Sequence, residues 1–143
     1  MDLRINANAI ITNNGGQFLF IKLKKGPFAG KLCIPGGGIN PRELSEEAVR
    51  REVEEETGIV LKDKIEHIGF CELFSKGINQ HKVVLLFHSI SDDAPRESDE
   101  GIPKWMSYEE AEKDLITFAK ESIRIWNEKK SHFIIDYGMD ELH

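Results

Sequence analysis

From Leu3 to Thr12 apolar side chains recur at alternate positions, with Leu3, Ile5, Ala7 and Ala9 on one side, which predicts a β-strand. Asn13-Asn14-Gly15-Gly16 follows and reads as a hairpin turn, because Asn and Gly tolerate positive φ. Gln17 to Leu23 returns as a second strand. Lys24 to Lys31 holds Gly26, Pro27 and Gly30 and reads as a loop. Leu32 to Ile34 is a short strand, ended by Pro35 and the glycines after it.

The period then changes. Leu44, Val49 and Val53 form an apolar stripe at helical spacing, so Glu43 to Thr57 is predicted as a helix. Glu46 and Glu47 put acidic groups in its first turn, where they suit the helix dipole. Gly58 is placed to stop it. Ile65 to Phe74 and His81 to Ile90 are further strands, joined through Ser75-Lys76-Gly77. Ser91 to Gly101 is polar and acidic and reads as a loop, and Lys104 to Met106 as a short strand. Ser107 with Glu110 is a capping box, opening a helix from Tyr108 to about Lys113. Ile116, Ala119, Ile123 and Ile125 or Trp126 predict a last helix to about Lys129. The tail from His132 to His143 adds a strand at Phe133 to Tyr137 or meets a partner. Strands on both sides of a helix, followed by two helices, predict the α/β class: a mixed β-sheet packed between helices, in a single domain over residues 1–143.

Composition narrows the function. The chain is 40% hydrophobic and 31% charged, as in an ordinary globular protein rather than a disordered one. No apolar run approaches the ~20 residues that cross a bilayer. Asp2 and Arg4 interrupt the first strand, so no secretory leader is expected, and the cytoplasm is the expected compartment. A net charge of −6 argues against binding duplex DNA or RNA through a basic surface. It does not exclude a nucleotide, because bound cations can supply positive charge locally. Cys33 and Cys71 lie in apolar stretches and read as buried, reduced thiols. His67, His81 and His88 show no ligand spacing and read as sheet-surface or core residues.

The chemistry is concentrated on the first helix. Glu52, Glu55 and Glu56 stand at i, i+3 and i+4, hence on one face. Stacked like charges repel, and a hard divalent cation held by carboxylate oxygens offsets that repulsion. The bland alternative is a solvated helix with pairs Arg50–Glu54 and Arg51–Glu55.

Gly37, Glu43, then Arg51-Glu52-Val53, Glu55-Glu56 and Gly58-Ile59 carry a stronger signal together. Their spacing resembles the complete box of the Nudix hydrolase family, in its MutT-like group, over residues 37–59. The resemblance implies an α/β/α sandwich. It also implies hydrolysis of the phosphoanhydride of a nucleoside diphosphate linked to another group, by attack of water on phosphorus, with Mg²⁺, or Mn²⁺ in its place. The metal ligands it implies are Glu52, Glu55, Glu56 and the Gly37 carbonyl. Arg51 is implied to orient the carboxylates. Glu43 and Gly58 take structural roles, Glu43 through a pair with Arg51.

The general base of the family is a box glutamate or one from a distant loop. Glu97, Asp99 and Glu100 stand in such a loop, and Glu100 is favoured for its place before the Trp105 strand. Asn40 and Arg42 depart from the commoner neighbourhood; Asn40 removes one outer carboxylate, and Arg42 reaches a phosphate or is a surface arginine. Phe28, Phe70 and Phe74 are base-stacking candidates or core. Arg4, Lys22 and Lys24 are candidate phosphate contacts or surface cations. Trp105 reads as core beneath the C-terminal helices. The downstream proline of the ADP-ribose type, the tyrosine of the diadenosine-polyphosphate type and the coenzyme A signature are absent, which leaves a nucleoside triphosphate or a small nucleotide derivative. The alternative function is a non-catalytic nucleotide-sensing Nudix module. The expected assembly is a monomer or homodimer, without membrane or duplex partners.

Overall fold

The computed structural model describes residues 2–75 and 79–137. The expected link at Lys76-Gly77 and the tail beyond Tyr137, with its possible partner contact, lie outside the described residues. The elements run β1 (Leu3–Thr12), β2 (Phe18–Leu23), β3 (Leu32–Cys33), β4 (Gly36–Gly38) and α1 (Ser45–Thr57). After these come β5 (Glu66–Ser75), β6 (Gln80–Ile90), β7 (Gly101–Met106), α2 (Tyr108–Ala111), α3 (Thr117–Asn127) and β8 (His132–Tyr137). A short 3-10 turn over Glu112–Asp114 extends α2, so the helix expected to reach Lys113 loosens at Ala111. The capping box holds as expected: Ser107 accepts from the Glu110 N–H, and Glu110 accepts from the Ser107 N–H. The tail strand also forms, as β8.

β1 and β6 form a long parallel ladder, from Leu3 beside His81 to Thr12 beside Ile90. β5 pairs antiparallel with β6, and β8 pairs parallel with β5. At its other edge β1 is shared. Its end pairs with β2 only at Thr12, while Asn6, Ala7 and Asn8 pair with Gly38, Gly37 and Gly36 of β4. The glycine run, expected only as the end of a strand, is therefore a strand itself. Glycine is required there by contact: a Cβ on Gly36 would stand 2.4 Å from the Ala7 carbonyl oxygen. β7, longer than expected, pairs along all of β2.

Two cores lie on opposite faces of this mixed sheet. Ala7, Ala9, Ile11, Leu19 and Phe87 meet Ala48, Val49 and Val53 of α1. On the other face Ile10, Phe20, Leu73, Val84 and Leu86 meet Phe118, Ala119 and Ile123 on and around α3. The alternation of β1 thus feeds both layers. Each fully buried valine or isoleucine contributes roughly 1.5–3 kcal/mol, and the sum fixes α1 to one side. The result is an α/β/α sandwich, as expected. Trp105 corrects the reading: it packs half-buried on the α1 side, with Nε1 donating to the Asp93 carbonyl at 2.9 Å, not beneath the C-terminal helices.

Candidate active site

α1 is held at both ends by the chain around it. Glu47 accepts from the Leu44 N–H at 3.1 Å, so the helix begins at Ser45, two residues later than expected. Gly58 sits in the left-handed region at φ 76°, and its N–H closes the last turn on the Glu54 carbonyl at 2.8 Å. Val49 and Val53 point into the core, which turns Glu52, Glu55 and Glu56 toward β4 and its rim.

The three carboxylates differ sharply. Glu56 is 9% exposed, and Oε1 accepts from the Gly36 N–H at 2.8 Å. Its other oxygen has no hydrogen-bond partner among the described residues. Burial pushes its pKa up to about 8; the Gly36 N–H works against this, and the charges of Glu52, Glu100 and Glu55 add to it. Glu52 is also raised by burial, with Arg51 opposing. Glu55 is open, its side chain 58% exposed. Gly37 borders Glu52 closely: a Cβ there would stand 2.6 Å from the Glu52 carboxylate.

Arg51 ties the set together. It grips Glu43 through Nε at 2.7 Å and Nη2 at 2.9 Å, in the two-pronged geometry of guanidinium and carboxylate. Nη1 reaches Glu52 at 2.9 Å and Glu55 at 3.3 Å, and Nη2 also donates to the Gly38 carbonyl at 3.0 Å. Glu43 in addition accepts from the Asn40 N–H at 3.0 Å. The Arg51 bond, chiefly, holds the Glu43 pKa down at about 2. The expected contact between Glu43 and Arg51 is present in this geometry.

No three acidic, histidine or cysteine side chains converge into a ready ligand cluster among the described residues. Arg51 draws Glu52 and Glu55 to itself, and Glu56 leans on Gly36. The donor chemistry nonetheless fits a hard cation. The donors are carboxylate oxygens, the glycine strand leaves room beside them, and Glu56 keeps a buried oxygen without a partner. Burial disfavours the charged form of that group, and a bound cation would offset the penalty. Glu52, Glu55, Glu56 and the Gly37 carbonyl are the groups that could hold a divalent cation.

The remaining candidates divide by face. Phe28 lines a cavity of about 160 Å³ on the α3 side, with Asn6, Asn8, Cys33, Lys82 and Phe118. Arg4 lines an adjoining groove of about 670 Å³ with Asn6, Gly38, Asn40 and Lys82. Phe74 does not join them. It stacks on His81 at 4.4 Å between centroids, on the sheet face opposite Leu73, and Phe70 packs at a tilt against His132. Lys22 stands exposed on β2 between Leu32 and Ile102, away from both cavities. Lys24 is occupied, paired with Glu97 and donating to the Ser98 carbonyl. Arg42 is exposed in a left-handed turn at φ 66°. Glu100 lies just before β7, near enough to Glu56 for its charge to raise that group.

The NUDIX domain family profile matches residues 2–126. The chain belongs to this family. It is 44% identical over 54 residues to an ADP-ribose pyrophosphatase of Methanocaldococcus jannaschii, covering 38% of this chain and 32% of that protein. It is 42% identical over 57 residues to nucleoside triphosphatase NudI of Salmonella agona, covering 37% of this chain and 40% of that protein. These matches span only about a third to two fifths of the relatives' length. The MutT protein structure from Methanosarcina mazei Go1 superimposes with a TM-score of 0.75 at 29% identity, over 90% of this chain and 96% of that one.

In this NUDIX domain the sequence reading missed Asn6, Asn8 and Lys82. Asn8 is buried on β1 and donates to the Ile34 carbonyl at 3.3 Å. The polar positions in an otherwise apolar strand were the available signal: Arg4, Asn6 and Asn8 alternate along β1, so they share one sheet face. Lys82 gave no such signal, because only the parallel pairing of β1 with β6 sets it beside Arg4.

Proposed function

We propose that this chain is a Mg²⁺-dependent nucleotide pyrophosphohydrolase that cleaves a phosphoanhydride in a nucleoside triphosphate or a small nucleotide derivative. The observation that carries the proposal is Glu56: a buried carboxylate with an unpartnered oxygen, beside Glu52 and the glycine strand, in a complete box. The relative named a nucleoside triphosphatase supports the first of these substrates; the one named an ADP-ribose pyrophosphatase acts on a type whose downstream proline this chain lacks. Mg²⁺, when bound, supplies positive charge to diphosphate oxygens that the helix alone would repel.

The residues of the chain do the rest. Glu52, Glu55 and Glu56 present oxygens on one face, and Arg51, braced by Glu43, fixes where Glu52 points. Phe28 and Asn6 border the cavity that takes the nucleoside. Water attacks phosphorus, one P–O bond of the anhydride breaks, and the proton of the water passes to a carboxylate. Glu100 is our candidate for that base, near enough for its charge to raise the Glu56 pKa. A cytoplasmic monomer or homodimer, without membrane or duplex partners, suits a soluble substrate; among the described residues no helix is long and apolar enough to cross a membrane.

The test is purified protein with Mg²⁺ on a panel of nucleoside triphosphates, oxidised nucleotides, nucleotide sugars and dinucleoside polyphosphates, with products identified by mass. Release of a nucleoside monophosphate from at least one is expected, and no product from any overturns the proposal. One observation favours a second reading, a nucleotide-sensing module: Arg51 engages two of the three carboxylates. Tight nucleotide binding without turnover supports that reading.

A further inference from the structure

Arg4 and Lys82 are direct neighbours across the parallel β1–β6 ladder. Both line the groove that runs past Asn6 to Gly38 and Asn40, and both line a second groove with Asp2 and Asn79. Side chains in register on adjacent strands share one face, so two cations stand side by side. Like charges placed opposite each other destabilise a sheet. Lys82 is also partly withdrawn from water, and its pKa is lowered, first by burial and then by Arg4.

Among the described residues no carboxylate compensates them. Acidic residues outnumber basic ones, 25 to 19, yet neither Arg4 nor Lys82 makes an ion pair among the described residues. Asp2 borders the outer groove and pairs with neither. By contrast, Lys24, Arg50, Arg51 and Arg124 all have carboxylate partners. Nature of the ligand follows from position. Lys82 and Asn6 are the two residues common to the Phe28 cavity and the Gly38 groove, so Lys82 stands where the two spaces meet. One space is lined by aromatic and amide groups and suits a nucleoside. The other leads along β4 toward Gly37, beside Glu52. An anion lodged between them is joined to both.

We propose that Lys82, with Arg4 beside it, forms an anion subsite that holds a phosphate group of the nucleotide directly, separate from the carboxylate helix and without need of a metal. The proposal rests on the nucleotide reading above. It adds a residue that discriminates substrates: the subsite favours nucleotides with an additional phosphate over nucleosides and neutral-ended derivatives. The like-charge cost in the free protein is offset when the anion binds, and that difference appears as affinity.

The experiment separates the subsite from the hydrolase. In EDTA, with no divalent cation, inorganic tripolyphosphate is titrated calorimetrically into wild type, Lys82→Met, Arg4→Met and the exposed control Lys62→Met. Wild type and the control are expected to bind alike, and each pocket variant to bind about 10-fold more weakly, as loss of one charged hydrogen bond dictates. Methionine keeps the packing of the lysine stem, so Lys82→Met is expected to melt no lower than wild type. Equal binding by wild type and Lys82→Met overturns the proposal, and so does a lower melting temperature in that variant, which marks a structural lysine. With Mg²⁺ and the best substrate from the panel, KM is expected to rise about 10-fold in Lys82→Met with kcat nearly unchanged; a fall in kcat alone overturns the assignment. Inorganic phosphate that binds as tightly as any nucleotide also overturns it, since the subsite then serves the free ion. If no nucleotide is hydrolysed yet tripolyphosphate binding depends on Lys82, the subsite stands and the hydrolase reading falls.

Discussion

The acidic rim beside β4 and the cationic pocket over β6 lie on either side of one strand, β1, and are built in opposite ways. The acidic rim comes from one helix and the glycine strand just before it. Its charges are close in sequence, and one arginine already braces two of them. The cationic side is drawn from distant segments, and its two charges have no counter-ion within the described chain. The acidic side is pre-organised by local spacing and lacks a cation; the basic side is created by strand pairing and lacks an anion. A nucleotide with its metal carries both, which is why the two sides belong to one site in the function proposed here.

The largest effect is expected at the acidic rim. Glu56→Gln can keep the Gly36 hydrogen bond while losing the charge, so turnover should fall at least ~100-fold with little loss of fold. Wild-type kcat in this variant breaks the assigned role. Gly37→Ala comes next. The added Cβ meets the Glu52 carboxylate, the free end of a flexible side chain, so the ligand moves and the strand remains. Turnover should drop ~10-fold or more with a melting temperature close to wild type; a collapse of the fold instead shows that β4 needs glycine there for packing. The expected rise in KM for Lys82→Met, with kcat spared, is the mirror of these losses. If both sides change only kcat, the comparison between a reacting rim and a binding pocket fails.

The smallest effect is set by pH. The Glu43 pKa falls from 4.5 to about 2 in the fold, chiefly through its bond to Arg51. A depressed carboxylate stabilises the folded state above its unfolded pKa, and that contribution is lost as pH falls through the folded value. Melting temperature in wild type should therefore decline between about pH 4.5 and 2 by more than in Glu43→Gln. Parallel declines would show that the pair contributes nothing to stability. At neutral pH the same variant frees Arg51 to swing, and turnover should fall a few-fold.

Much of the first helix was legible because its information is local. The apolar stripe, the capping residues and the glutamate spacing all act within a few turns. The orientation of Trp105 was not legible, since either face of β7 offers a core. Phe28 and Phe74 looked alike as stacking candidates, yet Phe28 borders the cavity and Phe74 stacks on His81. Lys22 and Lys24 were equal to Arg4 as cations until pairing exposed one on β2 and tied the other to Glu97.

By itself the sequence determined most of the elements, the two apolar faces of the sandwich and the identity of the box, because these depend on periodicities and spacings shorter than a helix. Tertiary structure alone decided that the glycines form a strand against β1, that Glu56 is buried with an oxygen to spare, and that Lys82 stands beside Arg4. Each of these depends on which distant strand lies alongside, and that is chosen by the packing of the whole sheet rather than by any local preference.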